Sequence, residues 1–304
     1  MPDECKTLLV VNPMAGRGRG MRHFPQIHER LNREFRNLKV RISEYSGHAV
    51  EIGRRAVGEG FRRIISVGGD GTPFEIINGL YADGKPGVEI ELGMIPAGTG
   101  NSFIRDFSDG DPVQALDRIL SGKRRKVDLV EFEYMKQGKR TKRYFINILG
   151  VGLIADILKL TNERLKFFGS FGYSLAVMLR LAKGMKNQMT ITIDGRRLEI
   201  RDSALVVSNS KFTGGKMKIA PQADTEDGKV DLVIFREVNR REIIHIFLNV
   251  FRGKHIAHPK VETYRASAMT LDCAPQQLLM ADGELLGETP LTLSVWPREL
   301  SVLV

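Results

Sequence analysis

The amino-acid sequence predicts an α/β domain followed by a mostly β domain: an N-terminal parallel sheet covered by helices, then an antiparallel β-sandwich. Short apolar runs alternate with amphipathic helical segments in the first part of the chain, which is the pattern of βα units. Beyond them, alternating strands and hairpin turns take over. We therefore expect two domains, residues 1–127 and residues 128–304, and leave open that the C-terminal end returns to the first domain.

Four βα repeats account for the first domain. The predicted strands are TLLVVN, LKVRISEY, RRIISV and ELGMIP, and the helices that follow them are FPQIHERLNREF, HAVEIGRRAVGEG, PFEIINGLYA and DPVQALDRILSG. Apolar runs bounded by glycine or proline are typical of strands that are buried on both faces of a sheet. Ligands of such sheets bind beyond the carboxyl ends of the strands, so the turns after these strands are the candidate site.

The second domain is predicted from hairpins and short strands. One hairpin spans KVDLVEFEYMKQGKRTKRYFINILGVG, with KQGKRTK as its charged tip, and another turns at Asp194–Gly195. Further strands are KVDLVIF, AMTLDCA, QLLMADGE and LTLSVWP, and a helix is expected near residues 240–252. A helical insertion near residues 153–186 combines aromatic and basic residues, which suits either an interfacial element or lid over an acyl chain, or a helix that caps the sandwich core.

The composition limits the classes of binding partner and the cellular compartment that we expect. The formal net charge of +10 suits nucleic acid, an anionic membrane surface or a phosphorylated ligand. Nucleic acid is not expected, because the aromatic–basic interleaving of a base-stacking surface is missing from the sequence. Two distant cysteines and no signal-peptide pattern predict a cytoplasmic protein. Since no apolar run has spanning length, we expect any contact with a membrane to be from one side only.

Three glycine-bearing turns follow three of the predicted strands: VNPMAGRGRG, VGGDGT and IPAGTGNS. In a parallel sheet these turns fall on one edge and can converge on one ligand. Amides at a helix N-terminus favour phosphate. Asp70 adds a second negative charge there, which is favourable when a cation lies between the carboxylate and the phosphate. Neither a dinucleotide fingerprint nor a P-loop is present, since Met21 stands where a third glycine would be and Pro86 where a P-loop has Ser or Thr.

The ordered set of motifs resembles the diacylglycerol kinase catalytic domain superfamily, which includes sphingosine kinases, ceramide kinases and bacterial lipid kinases. The matching segments are VNPMAG, GGDGT with the following Glu75, Asn78 and Gly79, PAGTGNSF, NSKFTGGKMKIAPQADTEDGKVDLV and DGE at 282–284. The resemblance implies a nucleotide-binding α/β domain, a lipid-binding β-sandwich, and transfer of the γ-phosphate of ATP to a lipid hydroxyl. NAD kinases share GGDGT, but not the whole ordered set.

The resemblance also implies roles for individual residues. The nucleotide is expected to contact Asn12, Gly16, Gly68, Gly69, Asp70, Gly71, Thr72, Glu75, Gly98, Thr99 and Asn101. Asp70 and Asp128 are the expected Mg²⁺ ligands, with a strand-end acid in solvent as the alternative for Asp128. Asp282 is the expected general base, and Glu284 is expected to orient it or a cation. The alternative for Asp282 is an ordinary hairpin-turn residue.

A second, structural Mg²⁺ is implied at the loop Asp224, Asp227 and Lys229, although a solvated turn explains this loop equally well. One residue departs from the family pattern: Ser102 stands where an acid often joins the magnesium network.

Three alternatives stay open at this point: an Mg-ATP lipid kinase at an anionic membrane surface, an NAD kinase-like enzyme, and a non-catalytic basic lipid-binding protein. A homodimer is a further possibility. The sequence does not indicate whether the lipid is diacylglycerol, a sphingoid base or a related compound.

Overall fold

The computed structural model describes residues 5–160 and 187–304. Two compact units make up the chain, one formed by Met1–Leu129 with Arg298–Val304 and the other by Val130–Pro297. The last residues of the chain thus belong to the first unit.

The first unit contains a parallel sheet in the order β2-β1-β3-β4, extended beyond β4 by the end of β15 (Glu284–Leu303). The bounds are β1 (Thr7–Val11), β2 (Leu38–Ile42), β3 (Arg63–Gly68) and β4 (Glu91–Pro96), and Ser301–Leu303 of β15 pair with β4. Every residue of β1, β3 and β4 is buried, as expected for parallel strands that are covered on both faces. The predicted fold class is confirmed for this half.

Four helices cover the sheet: α1 (Arg19–Glu34), α2 (His48–Gly58), α3 (Gly71–Leu80) and α4 (Pro112–Ser121). α1 and α4 share an apolar core with one face of β1, β3 and β4. α1 begins earlier than the sequence predicted, before Phe24. The reason is that Gly16 and Gly18 adopt positive φ and turn the chain straight into the helix, which then accommodates Pro25.

α2 and α3 pack closely because glycines face each other's backbone. A Cβ atom on Gly79 would lie 2.1 Å from the Val50 carbonyl oxygen, and one on Gly53 would lie 2.5 Å from the Ile76 carbonyl oxygen. Only glycine permits this approach. Since α3 starts directly after Asp70, the contact fixes where the second glycine turn sits.

The strand pairs described within the second unit are all antiparallel. Its strands are β5 (Arg124–Lys136), β6 (Lys139–Phe145), β7 (Ile148–Val151), β8 (Gln188–Ile193), β9 (Arg196–Arg201), β10 (Ser203–Ser208), β11 (Val230–Arg236), β12 (Val261–Ala266), β13 (Ala268–Ala274), β14 (Leu278–Ala281) and β15 (Glu284–Leu303). Two of these strands, β5 and β15, also extend into the first unit. One series runs β12-β11-β10-β7-β14-β15, and β9-β8-β13 also pairs with β15. The antiparallel sheet confirms the fold class predicted for this half.

Two predicted hairpin turns can be compared with the structure. The turn at Asp194–Gly195 is confirmed, with φ of 44° and 89°. The tip of the first hairpin is shorter than predicted, because Gln137 and Gly138 alone form the turn, with φ of 50° and 74°. The basic residues after them continue as β6, where Lys142 lies 3.2 Å from Glu131 on β5.

The described α-helices of the second unit are α5 (Leu153–Leu160) and α6 (Arg240–Val250). Both pack on an apolar core with one face of β10 and β11. The remainder of the predicted insertion, residues 161–186 with its aromatic and basic side chains, lies outside the described residues. Within the described part of the chain, no helix combines the length and the apolar character needed to cross a bilayer.

The glycine contact between α2 and α3 predicts how two glycine-to-alanine substitutions change the stability of the protein. Gly79→Ala forces a methyl group onto the Val50 carbonyl, so we expect the free energy of unfolding to fall by about 1–3 kcal/mol. Gly58→Ala, at the end of α2, meets no atom within 4 Å and should leave stability unchanged or raise it by up to about 1 kcal/mol. Urea unfolding of both variants checks this, and equal effects would refute it.

Candidate active site

The three glycine turns of the first unit lie against one another with no room for side chains between them. Gly16 has a φ of 57°, and a Cβ atom there would lie 2.0 Å from the Ala97 carbonyl oxygen. A Cβ atom on Gly98 would lie 2.4 Å from the Cα of Gly69. The turns after β1, β3 and β4 therefore contact one another through their backbones.

Arg19, which sequence reasoning missed, ties two of these turns together. Its Nη2 donates to the Gly98 carbonyl at 2.7 Å and its Nε donates to the Gly16 carbonyl at 3.2 Å. Arg19 is the first residue of α1, immediately after the glycines of the first turn. The sequence signal was an arginine inside a glycine-rich turn, but its partner Gly98 is distant in the chain.

Asp70 is the N-cap residue of α3, yet its side chain does not cap that helix. Its Oδ1 instead accepts hydrogen bonds from the backbone N–H of Ser102 at 2.7 Å and of Phe103 at 3.4 Å. The Ser102 hydroxyl also bonds to Asp70. Burial raises the pKa of the Asp70 carboxyl above its ordinary value, while these hydrogen bonds act in the opposite direction. Ser102, the departure from the family pattern, is thus a hydrogen-bond donor to Asp70 rather than a second acid beside it.

Three other predicted nucleotide contacts shape the turns with their side chains. Asn12 donates from Nδ2 to Thr72 Oγ1 at 3.4 Å, which joins the first turn to the second. Asn101 hydrogen-bonds both backbone groups of Gly98: its Oδ1 accepts from the Gly98 N–H at 2.9 Å, and its Nδ2 donates to the Gly98 carbonyl at 3.0 Å. Thr99 is exposed at the tip of the third turn.

Glu75 has a different set of partners from the glycine turns. Its Oε1 accepts from the Gly47 N–H at 3.0 Å, and its Oε2 accepts from the Ala49 N–H at 3.2 Å. Both contacts lie at the N-terminus of α2, where a carboxylate offsets the partial positive charge of the helix. In this geometry Glu75 caps α2 from α3.

Asp128 is fully buried in β5, so it is not an acid at a solvent-exposed strand end. Its Oδ1 accepts from the backbone N–H of Arg298 at 2.7 Å. Arg298 has a φ of 50° and is the residue at which the chain re-enters the first unit. Asp128 therefore fixes this return of the chain.

Asp282, in the second unit, is both a hairpin-turn residue and a buried carboxylate. Asp282 and Gly283 connect β14 to β15 with φ of 47° and 90°. The Asp282 side chain is only 2% exposed. Three consecutive backbone N–H groups donate to it: Ile146 to Oδ2 at 3.1 Å, and Asn147 and Ile148 to Oδ1 at 3.1 and 2.9 Å. The two interpretations made from the sequence are thus compatible.

A buried polar network holds the segment that donates to Asp282. Asn209 donates from Nδ2 to the Ile146 carbonyl at 2.8 Å and from its backbone N–H to the Asn147 carbonyl at 2.8 Å. The Ser210 hydroxyl donates to Asn147 Oδ1, and the Ser208 hydroxyl donates to the Ser210 carbonyl at 2.6 Å. Sequence reasoning missed this network, although the polar run SNS at the end of an apolar strand was its signal.

The other predicted residues of the second unit lie on its surface or in a charged turn. Glu284 is exposed and pairs with Ala281 across the hairpin. Asp227 accepts from the Lys229 N–H at 2.9 Å and forms an ion pair with Arg265. Asp224 accepts from the Glu226 N–H at 3.0 Å. No group of three His, Cys, Asp or Glu side chains with metal-binding geometry occurs among residues 5–160 and 187–304.

The contacts of Glu75 predict that it acts as a helix cap. Glu75→Ala should lower the free energy of unfolding by about 1–2 kcal/mol, because two N–H groups of α2 lose their acceptor. Asp111→Ala is the matched control, since Asp111 caps α4 by accepting from Val113 and Gln114 at 2.9 and 3.0 Å. Urea unfolding should give similar losses, with the apparent KM for ATP unchanged in both. A KM raised in Glu75→Ala alone would show a direct role in nucleotide binding.

Two family models match the chain, one to each half. The model of the diacylglycerol kinase catalytic domain matches residues 6–132, and the model of the YegS C-terminal NAD kinase beta sandwich-like domain matches residues 147–304. The chain is 30% identical over 284 residues to the diacylglycerol kinase of Staphylococcus carnosus (strain TM300), covering 93% of this chain and 89% of that protein. It is 28% identical over 286 residues to the diacylglycerol kinase of Bacillus subtilis (strain 168), covering 93% and 90%.

Solved structures agree on the fold. A crystal structure of a diacylglycerol kinase from Bacillus anthracis str. Sterne superposes with a TM-score of 0.72 at 21% identity, covering 98% of this chain and 96% of that one. Yeast NADH kinase is more distant, with a TM-score of 0.55 at 10% identity and coverage of 99% and 83%. Together with the 30% identity over nearly the whole chain, the two family matches establish that this protein belongs to the diacylglycerol kinase family and is an ATP-dependent lipid kinase.

Proposed function

We propose that this lipid kinase transfers the γ-phosphate of Mg-ATP to the hydroxyl group of diacylglycerol or a related lipid, with Asp282 as the general base. The observation that supports it most is the buried carboxylate of Asp282, which three backbone N–H groups hold in one orientation. Burying a carboxylate is costly, and a base must be positioned within hydrogen-bond reach of the proton it accepts. Diacylglycerol is the first substrate to test because curated relatives carry its name.

The nucleotide would bind at the three glycine turns of the first unit. The backbone amides of the first two turns lie at or near the N-termini of α1 and α3, which suits phosphate groups. Close contact between Gly69 and Gly98 leaves the backbone, rather than side chains, to face the ligand. Asn12, Thr72 and Asn101 hold these turns in shape and remain our candidates for the nucleotide contacts, together with the glycines and Thr99.

The donor set of the first unit fits a magnesium ion that arrives with ATP. Mg²⁺ at such sites is held by one or two carboxylates together with substrate phosphates and water. Asp70 supplies a carboxylate at the glycine turns, and Ser102 supplies a hydroxyl beside it. Asp128 is the second candidate ligand. When bound, the ion neutralises charge on the transferring phosphoryl group.

The proposed structural cation at Asp224, Asp227 and Lys229 has weaker support. Arg265 already neutralises Asp227, so a cation there would have to displace an ion pair. Glu284 is exposed at the hairpin and remains a candidate for orienting a cation near Asp282. We further propose that the enzyme acts as a peripheral protein at an anionic membrane surface, where its lipid substrate resides. A homodimer is a separate prediction, which analytical ultracentrifugation of the protein can test.

Removal of the Asp70 charge tests the magnesium role. Asp70→Asn keeps an oxygen to accept from Ser102 and Phe103 but loses the carboxylate, so we expect kcat/KM for Mg-ATP to fall by at least about 100-fold with the fold preserved. The measurement is phosphate transfer from labelled ATP over a range of magnesium concentrations, with circular dichroism as the check on folding. Wild-type turnover by this variant would remove Asp70 from the proposed site.

Replacement of Asp282 tests the proposed base. Asp282→Asn should lower kcat by about 10²–10⁴-fold, the usual contribution of general acid–base catalysis. Asp194→Asn is a matched control: Asp194 also begins an Asp-Gly hairpin turn and accepts backbone N–H groups, from Ser267 at 3.2 Å and Ala268 at 3.0 Å.

Both variants of the hairpin pair are expected to lose some stability, since an amide cannot accept from every N–H group that the carboxylate bound. Only Asp282→Asn should lose activity, as measured by lipid phosphorylation at saturating ATP and lipid. Comparable activities in the two variants would show that Asp282 is a turn residue without a catalytic role.

A further inference from the structure

α6 carries apolar side chains on two sides, and only one side is covered. Ile246 and Val250 are 6% and 4% exposed and belong to the core of the second unit. Ile244, Leu248 and Phe251 are 43%, 66% and 47% exposed. The three exposed residues are spaced at i, i+4 and i+7, so they form one stripe along the helix surface.

This stripe is unusual within the described part of the chain. No other described helix carries more than one strongly exposed large apolar side chain. Asn239 and Glu242 form a capping box that fixes the N-terminus of α6, the end nearest Ile244. A helix that leaves Ile244 and Leu248 in solvent, with the exposed Phe251 directly after its last residue, indicates a binding surface.

The residues that border the stripe are basic. Arg241 lies three positions before Ile244 and is its neighbour on the helix surface. Arg252 lies in the turn directly after α6, next to Phe251 in the chain. Both arginines are exposed, as is Lys254, the first residue of the 3₁₀ helix Lys254–Ala257. Lys218 lies at the C-terminal end of α6, where its backbone N–H donates to the Val250 carbonyl at 3.0 Å. Glu242 is already engaged by Lys260 at 2.9 Å.

We propose that the exposed face of α6 docks the enzyme onto an anionic phospholipid bilayer. Ile244, Leu248 and Phe251 would enter the boundary between headgroups and acyl chains, while Arg241 and Arg252 would contact lipid phosphates. Charge complementarity selects this occupant over a second copy of the chain. Two copies that met through this face would bring like-charged arginines together, which is unfavourable.

The docking surface rests on the proposed function only because the proposed substrate is a membrane lipid. The docking surface and the kinase activity can be refuted separately. The first measurement is sedimentation of the full chain with vesicles of phosphatidylcholine, with and without phosphatidylglycerol. Leu248→Ser/Phe251→Ser should reduce binding to the anionic vesicles by about tenfold or more, because two apolar side chains no longer enter the bilayer. Arg241→Gln and Arg252→Gln should each reduce it by about fivefold, with the effect lost at high salt.

Val113→Ser is the matched control, since Val113 is a 57% exposed apolar residue on helix α4 of the first unit. It should bind vesicles as wild type does. Phosphorylation of a short-chain diacylglycerol dispersed without vesicles should be the same in wild type, Val113→Ser and Leu248→Ser/Phe251→Ser. The proposed function would be refuted, and the docking surface supported, by one pair of results. In that case the wild-type protein binds anionic vesicles but phosphorylates no lipid, and the α6 substitutions abolish the vesicle binding.

Two outcomes overturn the docking surface. In one, the α6 variants bind anionic vesicles as tightly as wild type. In the other, analytical ultracentrifugation without lipid shows that Leu248→Ser/Phe251→Ser converts a dimer to a monomer while Val113→Ser does not. That second result would make the stripe an interface between copies of the chain.

Discussion

The close approach of backbone to backbone at Gly69 and Gly98 is the constraint on which the first unit depends. A single Cβ atom on Gly98 would lie 2.4 Å from the Cα of Gly69, so this position tolerates glycine alone. The contact brings the turns after β3 and β4 together, and Arg19 adds the turn after β1. The same requirement recurs between α2 and α3 at Gly53 and Gly79. The glycines thus set both the position of α3 and the shape of the surface that would receive phosphate.

Asp70 and Asp282, which both lie at turns, are held by similar sets of hydrogen bonds. Asp70 accepts from Ser102 and Phe103, and Asp282 accepts from Ile146, Asn147 and Ile148. In each case backbone N–H groups from a distant segment hold the carboxylate, and at Asp70 the Ser102 hydroxyl adds a side-chain hydrogen bond. This arrangement suits groups that must be held in place before a ligand binds. The difference is that Asp282 has a further polar layer behind it, through Asn209 and Ser210.

The sequence was informative where local patterns decide the structure. Alternating strands and helices predicted the parallel sheet, and the Asp194–Gly195 dipeptide predicted a hairpin turn. The ordered motifs predicted the family that the comparisons confirm. The predicted start of α1 and the predicted length of the first hairpin tip were wrong by several residues, because positive φ at Gly16 and Gly18 starts the helix early and positive φ at Gln137 and Gly138 closes the hairpin in two residues.

Contacts between segments far apart in the chain could not be predicted from the sequence. Nothing local to Glu75 indicates that it caps α2, and nothing local to Ser102 indicates that its hydroxyl and N–H bind Asp70. The same holds for Arg19 and for the network around Asn209, whose partners are fixed only when the strands are assembled. The apolar stripe on α6 was predicted only in part. The sequence predicted the helix, but which apolar face stays in solvent depends on how the helix packs on the core of the second unit.

The most direct test of the central claim is phosphate transfer by the wild-type enzyme from γ-labelled Mg-ATP. The acceptors are diacylglycerol, a sphingoid base, ceramide and phosphatidylglycerol in mixed micelles, with NAD in a parallel reaction. We predict labelled lipid, with diacylglycerol as the best acceptor, and unlabelled NAD. Labelled NAD with every lipid unlabelled would contradict the account, because the same glycine turns would then serve a dinucleotide kinase.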